Sequence, residues 1–355
     1  MPLLSLLPDI FVPTFELSVN HVPLPPPIAK QIVNVSVTQH LSPPNSFSFG
    51  LNDPTLVLVE TTGGLFTEGS RVDLSLGFVG NTKQLIVGEI SALTADFPAD
   101  GPITIQVEGF DLLHRLTRGT VYRTFEGPTP GSGLPDSQIV TQIAAEMQLV
   151  PSVDTTSART EPRTQNNATN LAFLEELTTA NGFFFWVDGD TLFFKKERPA
   201  PTTITLERGK TLVSFSPRLS TAGQVNTVVV RGWDPVQKQT FSVQVQRSGG
   251  GAALAPTGQQ QLEQGTGGKS ELVVNDAPVA NAQEAQAYGE ALLAAQQQTV
   301  VTANGSCLGN AELTVGSLLE VTGVGRFEGT YTVEEATHTL GSGGYQTSFQ
   351  VRGQS

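Results

Sequence analysis

Two stretches decide how this 355-residue chain reads: Thr67-Glu-Gly-Ser-Arg-Val-Asp-Leu74 and Thr314-Val-Gly-Ser-Leu-Leu-Glu-Val321. Both follow the pattern Thr-x-Gly-Ser-x-aliphatic-acid-aliphatic. Gly-Ser is turn chemistry, and the alternation after it is that of a strand with one apolar face. After the first copy, Gly88-Glu-Ile90 begins a strand pair that finishes at Gln106-Val-Glu-Gly109. After the second, Gly329-Thr-Tyr331 begins a pair that finishes at Gln350-Val-Arg-Gly353. Upstream, Ser46-Phe-Ser-Phe49 answers Thr240-Phe-Ser-Val243. The common order predicts a duplicated β-module. The repeat alone leaves open the blander reading that any two β-meanders look alike. Duplication has a consequence: three chains of two modules each would set six similar modules around an axis.

Outward from the repeat, the first module gathers short strands bounded by Gly/Pro turns. They are Ile32–Val37, Ser46–Leu51, Arg71–Phe78, Gln84–Leu93 and Ile103–Phe110. Such a set predicts a small β-barrel or sandwich. Near residue 120 the pattern changes. Ile139, Val140, Ile143, Ala144 and Met147 recur at helical spacing, with Asp136 or Ser137 as the expected N-cap. A second helix carries Leu171, Phe173, Leu174 and Leu177 and ends at Asn181-Gly182, a C-cap pair. Asp188-Gly189 between the aromatic runs 183–187 and 191–194 signals a tight hairpin. After Pro199-Ala-Pro201 the β pattern returns, with a hairpin over 226–232 and 240–245. Residues 248–275 are Gly/Ala/Gln-rich and read as a flexible excursion. Asn281 and Glu284 fit a capping box before a helix to about Gln298, and strands near 318–321, 330–334 and 346–351 close the chain.

The expected organisation is α+β and mainly β. It comprises a Pro-rich N-terminal arm (1–30), β-barrel module 1 (31–120) and an inserted α+β domain (121–198). Module 2 is built from 199–247 and 300–355 around a Gly/Gln-rich excursion and helix (248–299).

Composition excludes several functions. Twenty Lys+Arg against 33 Asp+Glu leave a net charge of −13, without the basic runs that sequence-independent nucleic-acid binding needs. One cysteine, Cys307, forbids an internal disulfide. No apolar stretch approaches the ~20 residues of a membrane span. Met1-Pro-Leu-Leu-Ser-Leu-Leu-Pro-Asp9 lacks a basic start and reads as mature chain, not as a signal peptide. Charged residues are only 15%, which suits a surface shared with other subunits.

An ordered succession of segments resembles the late control protein D family, the hub proteins of contractile phage tails, also seen as the first part of VgrG spikes. The segments are Gly80-Asn-Thr-Lys-Gln-Leu-Ile-Val-Gly-Glu-Ile90, Val107-Glu-Gly-Phe-Asp-Leu-Leu-His-Arg-Leu116 and Arg123-Thr-Phe125, then Asp136-Ser-Gln-Ile-Val140, Asn170–Leu177, Gly182–Trp186 and Asp190–Phe194. Gly323–Val333, Thr337-His338 and Gly344–Val351 complete it, so that it covers roughly 30–353. The resemblance implies a homotrimer whose two barrel modules per chain form a pseudo-six-fold ring. One face would receive the hexameric tail tube and the other a trimeric spike, among other baseplate proteins. DNA would pass through the lumen without specific binding, in a virion tail baseplate assembled in the bacterial host cytoplasm. The sequence lacks the appended barrel and β-helix needle of the VgrG pattern, which implies a separate spike chain. The same resemblance allows a hub of a bacterial contractile injection or type VI-like system. A tail-associated cell-wall hydrolase and a monomeric carbohydrate-binding β-protein are the rival classes. Surplus acid on the lumen wall would keep DNA from sticking.

No catalytic, cofactor or metal site is expected. Gly265-Thr-Gly-Gly-Lys-Ser270 has Glu263 where a phosphate loop needs glycine, and reads as loop. His21, His40, His114 and His338 are dispersed, so no zinc site forms; His114 and His338 are expected to satisfy local hydrogen bonds. Glu175 and Glu176 diverge by about 100° on a helix, and Glu334 and Glu335 face opposite sides of a strand. Asp188 and Asp190 are turn residues, Cys307 is structural, and the aromatic run 183–186 is expected in a core. The useful sites are therefore interfaces where a sheet edge extends onto a neighbour's strand. Segments 226–232 and 345–351 are the candidates.

Overall fold

The computed structural model describes residues 12–41, 44–53, 56, 58, 64–157, 161–219, 227–234, 238–246, 271–275, 282, 285, 286, 288–290, 292 and 301–353. The chain divides into two compact units, the first comprising 1–201 with 309–312 and 337–347, the second the remainder.

The first unit begins with β1 (Pro13–Val19), β2 (Val22–Pro23), a short helix α1 (Pro26–Ala29), β3 (Ile32–His40) and β4 (Ser46–Asn52). Strands β5 (Arg71–Phe78), β6 (Asn81–Asp96) and β7 (Thr104–Asp111) follow. The order is β3-β4-β7-β6-β5-β1-β2, with antiparallel pairs throughout. Alternation explains the core: Val35, Val37, Phe47, Phe49, Val72, Leu74, Leu76, Ile105 and Val107 are all buried, while the residues between them face out. The Phe47 ring lies across the backbone at Gly88 and Gly109, where a Cβ would collide with it. Residues 13–19, expected in a proline-rich arm, instead form β1 along Val72–Phe78 of β5, with Leu17 and Val19 in the core. The alternating Phe15/Leu17/Val19 carries that strand; Pro13 sits at its first position, where a strand tolerates proline.

A 3-10 turn, Leu112–Thr117, leads to the α+β part of this unit. It contains β8 (Val121–Phe125), α2 (Asp136–Glu146), β9 (Val150–Val153), β10 (Arg163–Ala168), α3 (Asn170–Asn181), β11 (Phe184–Asp188) and β12 (Thr191–Lys195). β11-β12-β9 form one small sheet and β8-β10 a pair. The α3 C-cap is Gly182 in the left-handed region (φ 65°), and Thr169 Oγ1 accepts from Ala172 N at its start. The α2 N-cap is Pro135, not Asp136 or Ser137. The Asp136 carboxylate is drawn inward instead, accepting from Asn181 Nδ2 at 2.7 Å with Arg163 nearby.

The second unit holds β13 (Thr203–Glu207), β14 (Leu212–Leu219), β15 (Thr227–Asp234), β16 (Gln239–Gln246), β17 (Glu271–Val274), β18 (Val301–Leu308), β19 (Leu318–Thr322), β20 (Gly329–Gly341) and β21 (Gly344–Gly353). The β20–β21 tip, 337–347, belongs to the first unit, where Tyr345 joins the core. Strand for strand, β14-β18-β21-β20-β19 repeats the order β3-β4-β7-β6-β5. The two Gly-Ser turns match bond for bond. Ser70 N donates to Thr67 O (3.0 Å) and Ser317 N to Thr314 O (3.1 Å), around Gly69 (φ 82°) and Gly316 (φ 81°). Gly69 N and Gly316 N then donate to Ile90 O and Val333 O.

Three expectations change. The structural partner of Ile90 is Val333, not Tyr331. The partner of β4 is β18, not 240–243, which lies in a separate sheet, β16-β15-β17. An insertion between β14 and β18 carries that sheet, and its Thr240–Val243 run mimics β4 locally. Finally, neither module closes into a barrel among the described residues: β1 pairs only with β5 and the two-residue β2, and β13 joins β19 in parallel. Of the Gly/Gln-rich excursion, Glu271–Val274 is strand β17 beside β15. Residues 265–270, Asn281 and Glu284 lie outside the described residues. Helical positions 285, 288 and 292 put Ala285, Tyr288 and Leu292 against Val228, Val230 and Val245.

Candidate functional site

The residues weighed as chemistry are held in local structure. His114 Nδ1 bonds Asp111 O at 2.7 Å, and Nε2 lies 2.7 Å from Arg118 Nη2. Burial holds its pKa below the usual imidazole value. Glu89, 3.5 Å from His114 Nε2, also accepts from Arg115, which donates on to Met147 O at 2.8 Å. This charged knot joins β6, the 3-10 turn and the end of α2. His338 Nδ1 lies 2.9 Å from Tyr345 Oη and 3.1 Å from Thr347 Oγ1. His21 is exposed, 3.8 Å from Asp73. The backbone N of His40 donates to Asn45 Oδ1. Glu176 pairs with Arg163 and Glu334 with Arg352. Asp188 and Asp190 flank Gly189 (φ 59°) in the hairpin turn. Cys307 is buried, and burial pushes its thiol up to about 12. Among the described residues no three His, Cys, Asp or Glu side chains gather as metal ligands, and no helix is long and apolar enough to cross a membrane.

The aromatic run divides between two faces. Phe183 and Phe185 pack with the core of α2 and α3, whereas Trp186 stacks on Phe193 (centroids 5.0 Å apart) with Arg198 over it. Period-2 alternation requires this split in a one-layer sheet.

The sheet edges are the chemically open groups. One expected edge segment is interior, 344–353 between β18 and β20; of the other, 227–230 lies between β16 and β17, while 231–234 has β16 on one side alone among the described residues. Several other edges are unpaired among the described residues, and two of them, on β6 and β14, stand at related places of the repeat. β5 covers β6 only as far as Glu89, so 91–96 has β7 on one side and nothing on the other. β14 has β18 on one side and along 213–219 nothing on the other. The burden on each is a row of unpaired N–H and C=O groups. The sequence signal was present for β14 in Pro217, since proline in a strand marks an edge.

The fourth side of β3 is instructive. In the first unit β3 pairs with β4 and with the outer part of β20, where the Thr38 and Thr337 hydroxyls meet at 3.2 Å. By the repeat, β20 corresponds to β6 and β3 to β14. The outer end of β6 and the edge of β14 are therefore the unmade counterpart of a pairing that the chain already contains.

The outward faces of both modules are hydroxyl- and amide-rich. Ser36 stands opposite Ser48, and Thr38 opposite Ser46. Ser216 stands opposite Asn304, and Ser214 donates to or accepts from Ser306 at 2.7 Å.

No curated protein matches the chain in sequence. Among solved structures, a 43 kDa tail protein of prophage MuSo2 from Shewanella oneidensis is similar over 96% of this chain and 98% of its own, at 13% identity and TM-score 0.69. The tail protein from Neisseria meningitidis MC58 matches over 96% and 97%, at 13% identity and TM-score 0.65. An Escherichia coli component of the type VI secretion system, described as structurally similar to bacteriophage tail proteins, matches over 96% and 77%, at 13% identity and TM-score 0.53. The fold is thus that of phage tail and type VI secretion components. A family model described as the Alg8 N-terminal domain matches residues 59–342, most of the sequence, and the chain belongs to that family.

Proposed function

We propose that this protein is the structural baseplate hub of a contractile phage tail. Three copies form a ring that receives the hexameric tail tube, seats a trimeric spike, and lines the channel for payload, within the virion baseplate. The observation that carries the reading is the satisfied β3–β20 pairing beside its unsatisfied equivalent, β6 and β14. An edge in one unit and its complement in the other allow a head-to-tail contact between copies, which closes into a ring when the rotation per copy permits. Pairing also removes two aggregation-prone edges. Likeness to tail proteins over nearly the full length of both chains supports the same reading. A hub of a bacterial injection system is the same ring in another particle, favoured by the likeness to the type VI component. No catalytic role is proposed. Sedimentation equilibrium tests the reading: a species of three chains is expected, and a monomer at every concentration refutes it.

A further inference from the structure

The hub reading, on which this inference rests, makes the outward faces of the two modules the wall of the channel. In the first unit that wall presents Ser36, Thr38, Ser46, Ser48, Thr104 and Gln106, set by the β3-β4-β7 register. In the second it presents Ser216, Thr302, Asn304, Ser348 and Gln350. Charge at these register positions is sparse: Glu108, Asp96 and Glu89 in one unit, the last paired with Arg115, and Arg218 in the other, with Arg352 paired with Glu334 at 3.0 Å. Phe110 is the one exposed aromatic ring of the first face, at its end. The surplus acid of the chain is not concentrated here.

We infer that the channel passes nucleic acid over a neutral, non-adhesive wall of hydroxyls and amides, and not by acidic repulsion. Binding a nucleic-acid strand without sequence preference draws on two sources, counterion release by Lys/Arg at phosphates and stacking of bases on aromatic rings. This wall supplies almost neither. Its Ser, Thr, Asn and Gln groups offer the hydrogen bonds that water already offers, so contact gains little over hydration. Such a wall resists sticking at any ionic strength, whereas an acidic wall would lose its repulsion as salt screens it.

The test uses the assembled full-length protein with one plasmid in linearised and nicked-circular forms. Wild type is expected to retain neither form at low salt. Ser48→Lys with Asn304→Lys adds six lysines to the wall of a trimer. That variant is expected to hold the linear plasmid, which can thread, and not the nicked circle, which cannot. Its affinity should fall about a thousand-fold between 50 and 200 mM salt, the slope for about six phosphate contacts. Ser36→Lys with Ser216→Lys repeats the design should the first pair misfold. Retention of DNA by wild type overturns the inference. So does a trimeric variant that binds circle and line equally, because its lysines then lie outside the ring. Either result leaves the trimer standing, whereas a chain that never trimerises removes the hub reading itself.

Discussion

Asp111 sets a pH dependence that can be worked from the structure. It sits at the end of β7, 6% exposed, where Oδ1 accepts from Leu113 N (3.1 Å) and Oδ2 from Asn45 N (3.0 Å). Burial raises its pKa from 3.8 to about 6, with those hydrogen bonds pulling it part of the way back. The folded chain therefore holds this proton more tightly than the unfolded chain. The stabilisation is complete below about 3.8 and is lost as pH rises through about 6. At 1.36 kcal/mol per pKa unit, the full window is worth about 3 kcal/mol, of which about 1 kcal/mol falls between pH 7 and 5. Urea unfolding of wild type and Asp111→Asn at steps from pH 7 to 4 reads it. The wild-type minus variant difference should move in favour of wild type on acidification, by those amounts. His114, held low by burial, acts in the opposite direction but is common to both proteins and cancels. Parallel curves for the two proteins would refute the reasoning, since the carboxyl would then titrate alike folded and unfolded.

Other expectations follow from single contacts. Gly69→Ala and Gly316→Ala, at φ 82° and 81°, should each cost about 1–2 kcal/mol, nearly equally, because they hold the same turn; unequal denaturation midpoints corrected for position would separate the copies. Gly109→Ala should cost about 1–3 kcal/mol by overpacking against Phe47 and the Glu89 carbonyl, and Phe47→Leu on that background should recover only the part due to the ring. Cys307, buried with its thiol raised to about 12, should react with a thiol reagent only at the rate of unfolding.

Much of the fold was legible because its alternation is clean. The runs around Val35, Phe47, Val72 and Ile105 and the Gly-Ser turns needed no tertiary knowledge. Helix α3 was legible down to its Gly182 cap. What failed depended on partners distant in sequence. The match of β4 to β18 spans an insertion with its own sheet, so local similarity pointed to 240–243 instead. Closure of a barrel is a property of the last strand pair, which no strand sequence encodes. Edges are likewise defined by what does not pair: 345–351 reads as a strand and is an interior one, and 227–230 is flanked on both sides while 231–232 keeps one side open among the described residues. The free end of β6 emerges only once β5 is seen to begin opposite Glu89. The hydroxyl- and amide-rich outward faces were hidden inside the total charge of −13, because net charge has no address until the faces are assigned.

The central claim is that β6 of one copy pairs with β14 of the next. The direct measurement is disulfide trapping with single cysteines at Ala92, Thr94 or Asp96 in one population and at Ser214, Ser216 or Arg218 in another. Mixed populations should cross-link between the two sets, and chains carrying one cysteine of each set should run, oxidised, to a closed species of three. Cross-links only between like positions, or none at any pairing of these six, would contradict a head-to-tail ring.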